Sequence, residues 1–500
     1  MLRPFGSVHG CVVVAALGGV ALDSIDAFAQ DCCLGGSATG VNAWTNGLAT
    51  SAQWPATTQS SANMAQSPAN ADPVPDWWYH GDIEAGGRFF LNNPSRNGAR
   101  YLGQGGLAKF YEYSTVMPGA FGGGHIAAGS KDGLYGIDLW ANNIGYSDQS
   151  YFLNASKIGE QYISLGWDQT PHVYSTSAQT PYSGVGSNAL TLPPGLLSNT
   201  AHNSSIINPY LQQTDIGIER DTASVNYRWR PTDAWDVRAK YSHMSRTGTQ
   251  VDGVTGFAPA GGSAPNSPTE VTKPVDDTTQ NFGVNGEYVG TSPWNQRFTF
   301  KVAYNGSVYN DNHSSYTVQN PYCTGATASS CANKTESPFA QLSLPPSNQA
   351  NAVSETLAAE LPFKSRYVGT LNYVMMTQNG TFQPMTDNPN AVTSPSGVPW
   401  NSIGALPATS LNGAINTTLS NNILTTQIAR DLKSKLSYRY YNFENNTQQI
   451  TFPSWVSYDQ TGSSHENTIS SLAISYVKQN AGAELNWRPS PDWNFTSGYG

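Results

Sequence analysis

The chain has 500 residues and a formal net charge of −9, with only 12% charged residues but abundant Gly (48), Tyr (26) and Trp (13). That charge density is about half the ~25% of ordinary soluble proteins. The acidic balance offers no basic stripe for nucleic-acid phosphates, and beyond the first segment no apolar run nears the ~18 residues of a spanning helix.

At the N-terminus, Arg3 and His9 precede the apolar run "GCVVVAALGGVAL", and Ala27-Phe28-Ala29 places small residues at both key positions before Gln30. This is the pattern of an export signal, residues 1–29, cut between Ala29 and Gln30. The competing reading, a buried N-terminal helix, is broken by Asp23 and Asp26. Cleavage removes one positive and two negative charges, so the mature chain stands at −8.

Five cysteines occur. Cys11 falls in the signal, which leaves four in an oxidising compartment. Cys323 and Cys331 bracket the polar loop "TGATASS" and are expected to form a disulfide. Cys32 and Cys33 are adjacent thiols without an assigned role. Residues 30–76 are rich in Ala, Ser, Thr, Asn and Gln, and read as a mobile polar leader.

From residue 77 to 500, strand-like segments of about ten residues recur, the length at which a tilted strand crosses a bilayer. The clearest is "ASVNYRWRPTDAWDVRAKYS" (223–242). Ala223, Val225, Tyr227 and Trp229 alternate with polar residues, and after a turn Trp235, Val237, Ala239 and Tyr241 resume the beat. Successive strand side chains point to opposite faces, so this is a hairpin with one oily and one charged face. Its simplest pairing sets Trp229 opposite Trp235. "LNWRPSPDWNFTSGY" repeats the Trp-Arg-Pro turn near the end of the chain.

Short turns are expected at 230–235, 289–295, 361–366, 429–434 and 488–493. Long polar connections are expected at about 247–277, 310–352, 378–422 and 446–467. The glycine-rich "FGGGHIAAGSKDG" reads as a flexible loop, and the acidic stretches "DDTTQN" and "NDNH" as solvated loops. Alternation of tight turns with long loops is the habit of a transmembrane β-barrel. The fold class is therefore all-β, a large antiparallel barrel in a bacterial outer membrane. Trp229, Trp235, Trp294, Trp487 and Trp493 are expected in an aromatic girdle at the membrane–water boundary. Arg228, Arg230, Asp236, Arg238, Lys240, Arg297, Lys301, Glu484 and Arg488 are the candidate lumen-facing residues. Against the competing soluble sandwich, the export signal, low charge, aromatic turn ends and loop asymmetry together favour lipid as the medium.

No C-x-x-C-H, H-E-x-x-H, P-loop, G-x-S-x-G or EF-hand motif occurs, so no catalytic, metal or cofactor site is assigned and the chain is not read as an enzyme.

Three blocks, "GGLAKFYEY" (105–113), residues 167–197 and residues 218–253, resemble the MtrB/PioB family of outer-membrane barrels. The resemblance implies a barrel that sheathes a periplasmic multihaem (decahaem) c-type cytochrome and carries no haem itself. It implies electron transfer between the periplasm and an external donor or acceptor such as iron, with an extracellular cytochrome as a further partner. Metal-reducing members carry C-x-x-C near the mature N-terminus, so that role does not transfer to Cys32 and Cys33. Gly500 falls inside an alternating stretch, and at roughly 30 residues per strand and connection, residues 80–500 supply about 14 strands. The barrel is therefore expected to close only with further C-terminal sequence. Read without the family, the polar face fits a hydrated channel, a diffusive porin or solute transporter, better than specific cytochrome contacts, and a surface-adhesive barrel is a third reading.

Overall fold

The computed structural model describes residues 77–89, 112, 119–197, 204–254, 257, 269–323, 337–388, 393–394, 396–456, 464–465 and 468–500. The proposed signal, the leader, Cys32, Cys33 and Cys331 lie outside them. The first five strands are β1 (Trp77–Arg88), β2 (Gly119–Ser130), β3 (Tyr135–Ile144), β4 (Ser150–Lys157) and β5 (Gln161–Thr180). After the two-residue β6 (Ala189–Leu190) come β7 (Gln212–Thr232), β8 (Trp235–Val254), β9 (Thr269–Thr291) and β10 (Arg297–Asp311). The short β11 (Ser315–Gln319) and β12 (Phe339–Ser343) precede β13 (Asn348–Leu361), β14 (Ser365–Gln378), β15 (Gly413–Ala429) and β16 (Leu432–Asn445). Four small pieces, β17 (Thr451–Phe452), β18 (Trp455–Val456), β19 (Ser464–His465) and β20 (Ile469–Ser470), lead to β21 (Tyr476–Ser490) and β22 (Trp493–Tyr499).

Fifteen of these strands form one antiparallel sheet in chain order, each paired with its neighbour along the chain. The turns at one end, 131–134, 158–160, 233–234, 292–296, 362–364, 430–431 and 491–492, hold two to five residues. At the other end, connections 89–118, 181–211, 255–268, 312–347, 379–412 and 446–475 hold 14 to 36, and only 145–149 is short. The expected all-β architecture and turn asymmetry are both present.

Most strands of the sheet exceed the ten-residue expectation, while β3 has 10 residues, β4 8 and β22 7. β9 has 23 residues, about 75 Å at ~3.3 Å per residue, whereas an apolar band of ~25 Å needs only ~10 tilted residues. The connections expected from 247 and from 310 therefore begin later. "DDTTQN" lies within β9 and Asn310–Asp311 ends β10, with Asp277 opposite Asp311. They are strand, not solvated loop, because hairpin pairing continues past the membrane wherever backbone partners are available.

Two further expectations are corrected. Trp229 pairs with Val237, not Trp235, and Trp235 pairs with Thr232 across a bulge. The turn is the two-residue Asp233-Ala234, and the bulge takes up Arg230 and Pro231, where proline owes no ladder bond. The slip is two residues, so the oily set keeps its face. The glycine-rich run, read as a loop, is β2, paired on both sides. Its missing side chains make room for larger neighbours: a Cβ at Gly129 would lie 2.7 Å from the Trp78 ring, and one at Gly123 2.8 Å from the Glu84 carboxylate.

The best-packed core lies at the long-connection end. Tyr182, Leu190, Leu192, Leu196, Val254, Phe257, Val271, Tyr316, Val318, Ala340 and Leu344 form one buried cluster. The small sheet β12-β11-β6 threads it. Tyr182 Oη donates to the Gln319 carbonyl (3.1 Å), Leu192 N–H to Gln319 Oε1 (2.7 Å) and Tyr316 Oη to Asp252 Oδ2 (2.9 Å). Burial holds both tyrosine hydroxyls well above the usual tyrosine range, and for Tyr316 the bond to Asp252 adds to it. Cys323, beside this core, is buried and disulfide-bonded.

We propose Cys331 as its partner. A peptide linking residues 323 and 331 is expected in a non-reduced digest of the exported protein. Two alkylatable thiols there would contradict the assignment.

Candidate functional site: a two-faced transmembrane wall

Pairing register carries one face across the whole sheet. Ile137, Leu139, Leu153, Leu165, Val225, Tyr241, Phe282, Tyr304, Val353 and Tyr373 are linked by register or alternation on that face. They are large apolar or aromatic residues, mostly exposed. Among the described residues no core covers them, and hydrocarbon is the medium that makes such exposure favourable.

Aromatic residues edge this face twice. Near the short turns stand Trp229, Trp235, Tyr288, Phe298, Trp487, Trp493 and Phe495, with Trp235 and Tyr288 rings 4.9 Å apart and Trp493 stacked on Phe495 at 5.8 Å. Trp294 sits in the turn itself, 78% exposed. Six residues up the strands, ~20 Å along the chain, come Tyr241, Tyr304 and Tyr373, with Phe282 beside Tyr304 (5.9 Å). Tyr241 and Tyr304 donate their hydroxyls to Gln280 (3.3 Å) and Asn351 (2.7 Å), one step farther from the short turns. Those phenols reach from apolar to polar surroundings, as amphipathic rings do at a membrane boundary.

The apolar face is interrupted at β13–β15. Glu355 stands between Val353 and Leu357, and Asn416, Thr418, Ser420 and Asn422 occupy the same face of β15. Tyr367 leans over Gly369 and donates to Asn422 Oδ1 (2.6 Å), whose Nδ2 donates to Ser420 Oγ (3.0 Å). The amide is thus partnered within the wall.

The opposite face is polar. Seven expected positions, Arg228, Asp236, Arg238, Lys240, Arg297, Lys301 and Glu484, lie on it. Arg230 and Arg488 sit instead in bulges beside their turns, and their N–H groups donate to the Glu160 and Asp431 carbonyls, each at 2.7 Å. Local twist at the bulge, not side-chain alternation, sets their direction.

Alternation in 432–440 already sets Lys433, Lys435 and Arg439 on the polar side of that strand, and register places them on this face; Glu287, Glu360 and Arg366, which sequence reading missed, join them there. Asp236 accepts from Arg228 Nε (3.0 and 3.1 Å) and from Arg238 Nε and Nη2 (both 3.1 Å), one carboxylate between two guanidiniums. Lys435 Nζ lies 3.9 Å from Glu484. Farther from the short turns, Thr170, Arg220, Arg246, Asp277 and Asp311 form one cross-strand row. Arg246 clasps Asp277 with two bonds (2.9 and 2.7 Å), and Tyr309 Oη approaches the same carboxylate at 3.4 Å. Among the described residues no cluster of three or more His, Cys, Asp or Glu is placed to hold a metal.

The cap core packs on this polar face, since Val254, Val271 and Asp252 share it. The long connections therefore fold inward over the charged side of β8 and β9.

An antiparallel meander with one aromatic-edged oily face, one charged face and all but one of its tight turns at one end defines a transmembrane β-barrel. A family model described as an outer membrane beta-barrel porin, MtrB/PioB, matches residues 114–500. The chain belongs to that family and resides in the outer membrane. It is 25% identical over 343 residues to the outer membrane protein MtrB of Shewanella baltica, a match covering 66% of this chain and 43% of that protein. The chain thus spans less than half the length of that relative. Among solved structures, the ferric enterobactin receptor PfeA of Pseudomonas aeruginosa aligns at 12% identity over 75% of this chain and 56% of the receptor, with a TM-score of 0.31. OmpT of Vibrio cholerae aligns at 12% identity over 74% and 92%, with a TM-score of 0.21.

The Arg246–Asp277 clasp generates a test. Asp277→Ala leaves a half-buried guanidinium beside Arg220 without its counter-charge and is expected to cost about 2–4 kcal/mol in urea unfolding from vesicles. The double variant Asp277→Ala/Arg246→Ala should recover part of that loss. Additive losses would show that the pair does not couple.

Proposed function

We propose that this chain is barrel wall for a transmembrane electron conduit. It seats a periplasmic multihaem c-type cytochrome across the outer membrane, and electrons pass between the periplasm and an external donor or acceptor such as iron. Membership of the MtrB/PioB family carries this reading. The chain has no C-x-x-C-H motif, so the haem rides on the partner. The wall performs no bond-making step; its work is to keep lipid and water from the haem chain and to fix the partner's position.

The two-faced sheet supports the assignment. An oily exterior holds the wall in the bilayer, and a lumen face carrying both charge signs suits the polar surface of a folded protein. The porin description of the family and the hydrated character of that same face favour a second reading, an open diffusive pore. Vesicle swelling separates the two, because an occupied conduit does not pass sugars.

Deleting the gene is expected to abolish extracellular electron transfer and to lower the level of the partner cytochrome. Unchanged transfer together with an unchanged cytochrome level would contradict the proposal.

A further inference from the structure

The polar face is not evenly charged. Within seven residues of the short-turn ends and outside the bulges, β7 to β22 present nine cations on it: Arg228, Arg238, Lys240, Arg297, Lys301, Arg366, Lys433, Lys435 and Arg439. Asp236, Glu287, Glu360 and Glu484 are the acids at that depth, so nine against four leaves +5. On β1 to β5 the same zone holds Asp82, Glu84, Asp138 and Asp168 and no Lys or Arg. Farther up β7 to β10, Arg220, Arg246 and Lys273 stand against Asp252, Asp277 and Asp311, which cancels. A chain of net charge −9 thus gathers over a third of its 25 Lys and Arg into one patch.

Such segregation has a cost. Like charges on neighbouring strands repel, and in a lumen with low-dielectric walls the field is focused rather than dissipated. Asp236 and Glu484 offset part of it locally. The remaining positive potential is favourable only against a negative occupant. We infer that the short-turn half of the β7–β22 polar face docks an acidic surface of the folded protein that fills the lumen, and that the acidic β1–β5 wall turns that surface toward β7–β22. The inference rests on the lumen being occupied by a protein, as proposed above, and adds the partner's charge and its rotational setting.

A water-soluble carbodiimide tests this directly, since it joins an amine to a carboxylate in contact with it, as an amide with loss of water. Cells carrying the tagged full chain are treated, the complex is purified in detergent and haem-stained, and linked peptides are mapped. Links from Lys301, Lys433 and Lys435 to Asp or Glu of the haem-stained partner are expected. The variant Lys301→Glu/Lys433→Glu/Arg439→Glu should recover at least tenfold less partner, and raising NaCl from 0.05 to 0.5 M should release partner from the unsubstituted protein. Lys131→Glu/Lys364→Glu, in exposed short turns, should recover it in full, and heat-modified gel mobility confirms that each variant is folded.

Links only to the chain's own Glu287 or Glu484, or unchanged recovery by the folded triple variant, would overturn the inference while leaving the conduit intact. Absence of any haem-stained partner from the unsubstituted protein at low salt would instead remove the conduit reading, and the inference with it.

Discussion

A backbone N–H or C=O in hydrocarbon has no water to bond, and each unsatisfied group costs several kcal/mol. That constraint decides the architecture. A strand in the bilayer must be paired on both edges, and the least demanding route is to pair each strand with its neighbour in the chain. The meander from β1 to β22 does so, and its tight turns leave little backbone unpaired at one end. With pairing fixed, side-chain alternation sorts the chain into two surfaces. Register has to preserve parity from strand to strand, because a one-residue slip would turn an entire oily set into the lumen.

Where hydrocarbon ends, the constraint relaxes, and the molecule changes character. β7, β8 and β9 run on past the aromatic rows, and β7 and β9 carry charge on both faces, as Glu219 and Asp221 on the otherwise oily side of β7 and Glu270 and Asp276 on that of β9 show. The long connections then do what soluble proteins do and bury a core. Leu190, Leu196 and Val318 are almost wholly enclosed, better than any residue of the transmembrane belt, whose apolar side chains face lipid instead of one another. This cap turns in over the charged face, so the interior of the wall is shaped at one end by packed loops and at the other by its charge.

What the sequence disclosed follows from the same physics. Period-two alternation in 223–242 and 481–487 is a local signal and survives without any knowledge of partners. The contrast between "RPTDAW" and the thirty-odd residues after β10 or β14 is equally local. The bulge at Arg230-Pro231 is a choice between two hairpin registers that share the same parity, so the pattern cannot separate them. β2 escaped detection because its glycines belong to a packing arrangement with Trp78 and Glu84, residues far away in sequence. β15 carries Asn and Ser where Leu or Val would signal a strand, and only its neighbours reveal which face they occupy. The cap core draws Tyr182, Phe257 and Tyr316 from three separate connections, each of which alone reads as a polar loop. The charge patch was half visible as alternating Arg and Lys, Lys433, Lys435 and Arg439 among them, and its excess became countable only once register set these strands side by side and added Arg366.

The account stands on the oily surface meeting acyl chains. Variants retaining one tryptophan at a time, reconstituted in vesicles of bromine-labelled lipid, measure this through fluorescence quenching. Strong quenching is predicted for Trp229, Trp235, Trp487 and Trp493, and none for Trp400, which is enclosed among the long connections. Equal, weak quenching at all five positions would contradict it.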